Sequence, residues 1–223
     1  MNLLGSLPTG LANNFYTGME IHMNKVLLGA AVLLSVASTQ VMAGPNWNQA
    51  SISYLSADVG DNDDIDGLGL SGTKLLNSNF FLAGSYSSLT LETFNAFGYE
   101  ADADLNFLSL GVGARKAVAG NTDIYGIVSY EKIDLSISTG FGGFYSAAVD
   151  DESGYGLRVG VRSMMTPKFE INGEISYIDV LDDAETGFGF GAAYYFTNQF
   201  SVGAGYNTAD DIDTLNLTGT FNF

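Results

Sequence analysis

Carboxylates supply most of the groups in this chain that could do chemistry, and they occur in clusters. Our candidate residues within the clusters are Asp61, Asp63, Asp64, Asp66, Asp150, Asp151, Glu152, Asp182, Asp183, Asp210, Asp211 and Asp213. The run 61–67 places oxygen ligands at alternate positions, as a calcium loop does, but the bidentate Glu of such a loop is missing. The clusters predict solvated acidic loops, and diffuse binding of divalent cations is the alternative.

Catalysis has few candidate groups. The single histidine is His22, and the chain contains no cysteine. A Ser-His-Asp arrangement therefore cannot form from residues 44–223, and no cysteine zinc site is available. Adjacent carboxylates at 182–183 and 210–211 could act as an acid–base pair, but such pairs on a loop are more typical of a hydrated surface. We predict no enzymatic activity, no metal site and no cofactor.

A second set of charges occupies alternate positions within apolar segments. Its members are Arg115, Glu131, Arg158, Arg162, Glu170 and Glu174. A tight turn at 166–168 joins the two arginine positions of one segment to the two glutamates of the next. Because buried charges need opposite partners, we predict a salt-bridged network that fills an interior. The alternative is a selectivity ring in a narrow pore.

Glycines share the face that carries these charges. They are Gly69, Gly111, Gly113, Gly156, Gly160, Gly203 and Gly205. Their missing side chains are expected to leave space for water or for the inward ring of Tyr195. This expectation weakens the preference for a filled interior.

Composition excludes other classes of protein. The chain has 223 residues, of which 8 are basic and 25 acidic, for a net charge of −17. A nucleic-acid partner is excluded because a basic face cannot be built from so few cations. Charged residues make only 15% and hydrophobic residues 46%, a combination unusual for a soluble enzyme.

Apolar residues recur at every second position, which is the period of a strand. Ten such segments are predicted at 46–58, 65–77, 79–92, 104–117, 122–137, 153–165, 169–181, 186–197, 199–209 and 213–223. Only in 122–137 is the phase ambiguous, because Ile124 and Val128 compete with Tyr125 and Ile127. Short uncharged connections alternate with acidic ones, as in an up-and-down meander with acid at one rim.

The apolar face is too extensive for one small interior. Pointing it outward to lipid, with the polar face inward and no strand edge unpaired, resolves the conflict. No run of 18 apolar residues provides a helical span. We predict an all-β fold, a closed antiparallel up-and-down transmembrane β-barrel of about ten strands, with eight as the alternative.

The N-terminal residues are predicted to lie outside the barrel. Residues 23–43 combine a positive start at Lys25, an apolar stretch and a small-residue site ending at Ala43, and they are typical of a secretory signal peptide. Residues 1–22 precede this signal and are interpreted as an upstream extension or a mis-annotated start. The barrel is then formed by residues 44–223.

The chain ends LNLTGTFNF, with Leu217, Phe221 and Phe223 at alternate positions. This ending resembles the assembly signal of bacterial outer-membrane barrels, and segments such as GFGFGAAYYFTNQFSVGAGY extend the resemblance to the small outer-membrane β-barrel family, which includes porin-like and OmpA/OmpX-like proteins. The resemblance implies a bacterial outer-membrane location, with periplasmic termini and extracellular acidic loops. It implies outer-membrane lipid, lipopolysaccharide and the barrel-assembly machinery as partners.

The functional expectation is a non-enzymatic barrel with a structural or surface-interaction role. The alternative is a narrow, cation-preferring diffusion pore.

Overall fold

A closed antiparallel barrel of ten strands forms the structure. The computed structural model describes residues 44–58, 64–96, 99–141, 144–180, 184–209 and 212–223. The strands are β1 Gln49–Asp58, β2 Asp64–Leu75, β3 Phe80–Ala96, β4 Tyr99–Ala119, β5 Thr122–Phe141, β6 Phe144–Thr166, β7 Phe169–Asp179, β8 Ala184–Tyr195, β9 Phe200–Ala209 and β10 Ile212–Asn222. Each strand pairs with its neighbours in sequence, so the predicted meander is confirmed.

Closure depends on the pairing of β1 with β10. Their register runs from Gln49 opposite Asn222 to Asp58 opposite Asp213. The amide of Phe223 also donates to the carbonyl oxygen of Asn48 at 3.0 Å. Every strand therefore has a partner on both sides, and the alternative of eight strands is wrong. Within the described residues, no helix is long and apolar enough to cross a membrane.

Side chains alternate between an apolar outer face and a polar lumen. The large apolar side chains that are more than half exposed include Leu68, Leu70, Val112, Val128, Val159, Phe190 and Leu215. Their partners in alternation are mostly Gly, Ser, Thr and Asn. The outward apolar face predicted from the sequence is therefore observed.

The structure resolves the ambiguous phase of β5. Ile124 and Val128 lie on the outer face, whereas Tyr125 and Ile127 face the lumen. Asp123 shares the phase of Tyr125 and is only 2% exposed. Inside the barrel its carboxylate lies beside an opposite charge, whereas a position facing lipid would leave it unpaired.

The two ends of the barrel differ. We call the end where β1 begins and β10 finishes the terminus end, and the opposite end the far end. Connections at the terminus end are short, at 76–79, 120–121, 167–168 and 196–199. In two of them a polar side chain fixes the turn, since Asn77 accepts from the amide of Phe80 at 2.9 Å and Thr197 from that of Phe200 at 3.0 Å.

Four strands extend well past the others at the far end. β3 to β6 contain 17, 21, 20 and 23 residues, whereas the remaining strands contain 10 to 12. We call residues 91–96, 99–104, 131–141 and 144–154 the projecting sheet. The pairing of β5 with β6 continues to Phe141 opposite Phe144.

This extension corrects two predicted loops. Most of the predicted connection 92–104 is strand, and Asp150, Asp151 and Glu152 lie in β6 rather than in a loop. Acidic runs are typical of turns, but here each strand continues because the neighbouring strand supplies a complete ladder of backbone hydrogen bonds.

Aromatic side chains lie over glycines on the neighbouring strand. Phe81 on β3 is directly opposite Gly113 on β4, and Tyr125 on β5 is directly opposite Gly160 on β6. A Cβ atom on either glycine would collide with the opposite ring. Each glycine therefore accommodates a ring in the lumen that no other residue type would admit.

A charge on the outer face tests the assignment of that face to lipid. We expect Val128→Arg to lower the free energy of unfolding in lipid vesicles by about 2–4 kcal/mol, because an arginine near the middle of a bilayer is poorly solvated. Urea titration of the refolded protein measures the loss. Val128→Leu and Ser78→Arg serve as controls, and equal effects of Val128→Arg and Ser78→Arg would contradict the assignment.

Candidate functional site

The lumen has two chemically different walls. One wall is formed by inward residues of β4 to β7 and carries ion pairs. The other is formed mainly by β1, β2, β9 and β10 and carries hydroxyl and amide side chains. All six charged residues predicted for the lumen lie on or beside the first wall. The sequence-predicted charge set is thus brought together, in three groups rather than one ring.

The most buried group joins β6 to β7. Arg162 donates to both carboxylate oxygens of Glu170, from Nε at 2.6 Å and from Nη2 at 3.1 Å. The hydroxyl of Tyr195 donates to Glu170 at 2.7 Å, and Arg162 Nη2 also donates to Gln49 at 3.2 Å. The side chains of Arg162 and Glu170 are 10% and 3% exposed. A bidentate pair with these extra partners satisfies both buried charges.

A second group lies deeper towards the far end. Arg158 Nη2 is 2.9 Å from Glu131 Oε1, and its Nε is 3.8 Å from Glu174 Oε1. Glu131 also accepts from the hydroxyls of Ser109 and Ser129. Because Arg158 contacts two carboxylates, it bridges β5 to β7 across the intervening strand.

The third group lies at the terminus end and includes a residue that the sequence analysis missed. Arg115 Nη1 is 2.7 Å from Asp123 Oδ2, and the same oxygen accepts from Trp47 Nε1 at 2.7 Å. Asp123 was not selected because the phase of its segment was ambiguous. Requiring Glu131 to face inward would have placed Asp123 inward too, since the two differ by an even number of positions.

Trp47 lies inside the lumen at the terminus end. It is 3% exposed, its ring centroid lies 4.5 Å from that of Phe81, and the guanidinium of Arg162 lies 4.8 Å over the indole. Its carbonyl oxygen accepts from Thr73 Oγ1 at 2.8 Å. The sequence analysis included Trp47 in the predicted segment 46–58 but assigned it no role, because its partners come from distant strands.

The second wall encloses a polar cavity of about 540 Å³. Two hydroxyl pairs cross the seam between β1 and β10, Ser51 with Thr220 at 2.9 Å and Ser53 with Thr218 at 2.7 Å. Trp47 borders the cavity at the terminus end. A space of this size and polarity holds water.

The inward glycines fall into two groups. On β4 and β6 the space above Gly111, Gly113, Gly156 and Gly160 is taken by side chains of adjacent strands, so these glycines do not leave room for water. Gly69, Gly203 and Gly205 line the cavity instead. The cavity therefore follows the wall that lacks charged residues.

The acidic candidates are distributed over the far end. Asp66 lies in β2 and Asp213 in β10, and the backbone of Asp64 begins β2. Asp151 and Glu152 are exposed on β6, while Asp150 lies on the same strand. Asp61, Asp63, Asp182, Asp183, Asp210 and Asp211 lie outside the described residues. Among the residues that are described, no group of three or more carboxylates and histidines is placed to hold a metal ion.

The three residues of the predicted assembly signal share the outer face. Leu217, Phe221 and Phe223 are 58%, 40% and 54% exposed. The ring of Phe221 lies 5.2 Å from that of Phe200, and Lys74 Nζ lies 4.7 Å from the centroid of Phe223. They form an apolar strip along the seam strand β10.

Comparison with known proteins gives a family match and several structural similarities. The model of a family described as "Outer membrane protein beta-barrel domain" matches residues 27–196. Ail, the attachment invasion locus protein of Yersinia pestis, is similar at 14% identity and a TM-score of 0.47, over 82% of this chain and 100% of that one. No curated protein matches in sequence.

Two further solved structures are similar. The N-terminal beta-barrel domain of OprF from Pseudomonas aeruginosa shows 12% identity and a TM-score of 0.37, over 79% of this chain and 100% of that chain. KdgM porin shows 9% identity and a TM-score of 0.40, over 78% and 99%.

Removing one member of the most buried ion pair tests its contribution. We expect Glu170→Gln to lower the free energy of unfolding by about 3–5 kcal/mol, because the guanidinium of Arg162 is left buried without its counter-charge. The double variant Arg162→Met/Glu170→Met should lose less than the two single changes together. Urea unfolding in lipid measures all three.

The exposed pair of Lys132 with Asp134 provides the control. Its atoms are 2.7 Å apart, close to the 2.6 Å of Arg162 and Glu170, but both side chains are about one-third exposed. Asp134→Asn should cost about 0–1 kcal/mol, as solvent screens the charge that remains. Similar losses for Asp134→Asn and Glu170→Gln would contradict a role of burial.

Proposed function

Since the chain belongs to the family of outer membrane protein beta-barrel domains, we propose that it is a non-enzymatic outer-membrane protein whose projecting sheet binds cationic partners. Family membership implies the bacterial outer membrane. The observation that carries the proposal is the extension of four strands, β3 to β6, far beyond the other six. A barrel that only spanned a bilayer would need strands of about 9–11 residues.

The contrast between the two ends supports an orientation. Outer-membrane barrels have short turns in the periplasm and longer connections outside the cell. The terminus end carries only short turns in the described residues, and the far end carries the projecting sheet. We therefore assign the terminus end to the periplasm and the far end to the extracellular side.

The charge of the projecting sheet indicates the chemistry of its partner. Eight of its residues are acidic, namely Glu92, Glu100, Asp102, Asp104, Asp134, Asp150, Asp151 and Glu152, plus Glu131 at its lumenal base. The basic residue among them is Lys132, which lies 2.7 Å from Asp134 and 3.3 Å from Asp151. Such a surface attracts cationic proteins directly. It attracts lipopolysaccharide through bridging divalent cations.

The edges of the projecting sheet provide a second means of recognition. Residues 91–96 of β3 pair with β4, and their register with β2 ends at Thr90. Residues 144–154 of β6 pair with β5, and their register with β7 begins only at Tyr155. Over the described residues, each edge thus has backbone groups without a strand partner, and a peptide can add to such an edge.

Neutralising one acidic cluster tests the interaction surface. In the variant Asp150→Asn/Asp151→Asn/Glu152→Gln, we expect binding of a polylysine peptide to weaken about tenfold at low salt, since three attractive charges are removed from one strand. Surface plasmon resonance on the full chain in lipid nanodiscs measures the affinity, and raising the salt should reduce the difference.

The control carries the same change of charge elsewhere at the far end. Asp66→Asn/Glu185→Gln/Asp213→Asn alters three acidic residues on β2, β8 and β10, strands that do not extend into the projecting sheet. It should weaken polylysine binding about twofold at most, because these sites are dispersed. Equal losses in the two variants would refute the projecting sheet as the binding surface.

The polar cavity favours a second candidate function, a narrow diffusion pore. The seven charged groups of the lumen, counting Asp123, comprise three arginines and four carboxylates, so a permeating cation is the expected preference. Against this candidate, Trp47 obstructs the terminus end of the cavity.

Single-channel recording of the full chain in a planar bilayer decides between an open and a closed lumen. Reproducible steps with cation selectivity that declines as salt rises would support the pore, because salt screens the acidic groups. A folded but silent barrel, recognised by its heat-modifiable migration on gels, would reject it. Anion selectivity at low salt would also contradict it.

A further inference from the structure

We infer that the polar cavity of the lumen is a binding site for a neutral polyhydroxylated molecule of about monosaccharide size. The cavity measures about 540 Å³, within the range of pockets that enclose small ligands. Its lining combines hydroxyl and amide groups with apolar side chains such as Leu55, Ile127 and Ala193. The argument rests on which of these groups already have partners and which do not.

Several side chains that line the cavity lack a protein partner. Within the part of the chain that the structure describes, Ser85, Ser87, Asn172, Ser201 and Asn207 line the cavity and make no side-chain hydrogen bond. Ser201 is only 4% exposed, so its hydroxyl has little access to solvent other than through the cavity. Ser85 and Asn207 are exposed and Ser87 and Asn172 are half-buried, so water or a ligand in the cavity completes the hydrogen bonds of these groups.

The unpartnered groups come from several directions. Ser85 and Ser87 lie on β3, Asn172 on β7, and Ser201 and Asn207 on β9. Hydroxyls accept and donate, and each amide offers two donors and an acceptor. A ring that bears hydroxyls around its edge can therefore meet partners on several sides at once, whereas a molecule with a single polar group cannot.

The ion pairs of the lumen disfavour an ionic ligand. Arg162 and Glu170 are bound to each other, and Glu174, which borders the cavity, accepts from Tyr125 at 2.7 Å and has Arg158 nearby. Each arginine is thus already paired, although the carboxylates exceed the arginines by one. An anionic ligand would lose hydration without gaining an ion pair, and a cationic ligand would have to compete with Arg158 for Glu174.

The single tryptophan of the chain provides a reporter. Trp47 borders the cavity, and no other residue contributes indole fluorescence. Displacement of cavity water next to the indole changes its surroundings, so binding should shift or quench its emission. Isothermal calorimetry on the same sample detects binding that leaves the emission unchanged.

The probes are four compounds of similar size, namely D-glucose, glucosamine, glucuronate and cyclohexanol. With the full chain folded in lipid nanodiscs, we expect a saturable response to glucose. The two charged analogues should bind at least about tenfold more weakly, because each adds a charge that finds no free partner in the cavity. Cyclohexanol should also bind at least about tenfold more weakly, because it lacks most of the hydroxyls.

Two adjacent serines supply a matched pair of variants. Ser87 faces the cavity and Ser88, the next residue on β3, faces outward. Ser87→Leu should weaken glucose binding about tenfold or more by filling part of the cavity, and Ser88→Leu should leave it unchanged. Asn207→Ala, which removes a polar group without adding bulk, should weaken binding several-fold.

The inference is overturned by any of three results. The first is the absence of both an emission change and heat with glucose. The second is tighter binding of a charged analogue or of cyclohexanol. The third is an equal effect of Ser87→Leu and Ser88→Leu, which would place the bound sugar outside the lumen. None of these results bears on polylysine binding by the projecting sheet.

Discussion

The pairing of β1 with β10 is the constraint on which the rest of the molecule depends. Peptide groups surrounded by lipid have no water to bond, so a strand edge left open there would be costly along its whole length. Closing the ladder removes that cost and forces side chains to alternate between two environments. The outer face then becomes mainly apolar, and the ion-paired side chains of β4 to β7 turn to the interior.

The enclosed interior is small, and its contents are unevenly divided. Charged side chains, with the rings of Phe81 and Tyr125, fill the half bounded by β4 to β7, where inward glycines make room for them. The half bounded by β1, β2, β9 and β10 carries small hydroxylated residues and retains open space. The ion pairs thus act as packing for one side of the barrel, and the polarity of the other side is determined by uncharged groups.

Much of this arrangement could be predicted from period-two alternation. The number and order of the strands follow from the succession of alternating segments. The parity of residue numbers within a segment gives the inward position of Arg158, Arg162, Glu170 and Glu174. The predictions were wrong about strand length, which the alternation of side chains does not determine. Strand length depends on whether a neighbour continues the ladder, so the acidic stretch around Asp151 was interpreted as a loop although it lies in β6.

Contacts between distant parts of the chain could not be predicted from the alternation. Trp47 precedes β1, and its burial depends on Asp123, Phe81 and Arg162, which are brought together only when the barrel closes. Asp123 itself required the phase of β5, which competing apolar residues obscured. These contacts join distant parts of the chain and have no local signature.

The aromatic rings that lie over Gly113 and Gly160 have a consequence for how the strands find their alignment. A shift of one residue between neighbouring strands would turn every side chain to the wrong face and is strongly disfavoured. A shift of two residues keeps the faces intact, so hydrophobicity alone does not reject it. Such a slip would move Phe81 away from the vacancy at Gly113 and onto a residue with a side chain or a differently occupied glycine. The two ring-over-glycine contacts therefore favour one register of the neighbouring strands over the other registers that keep the apolar face toward lipid.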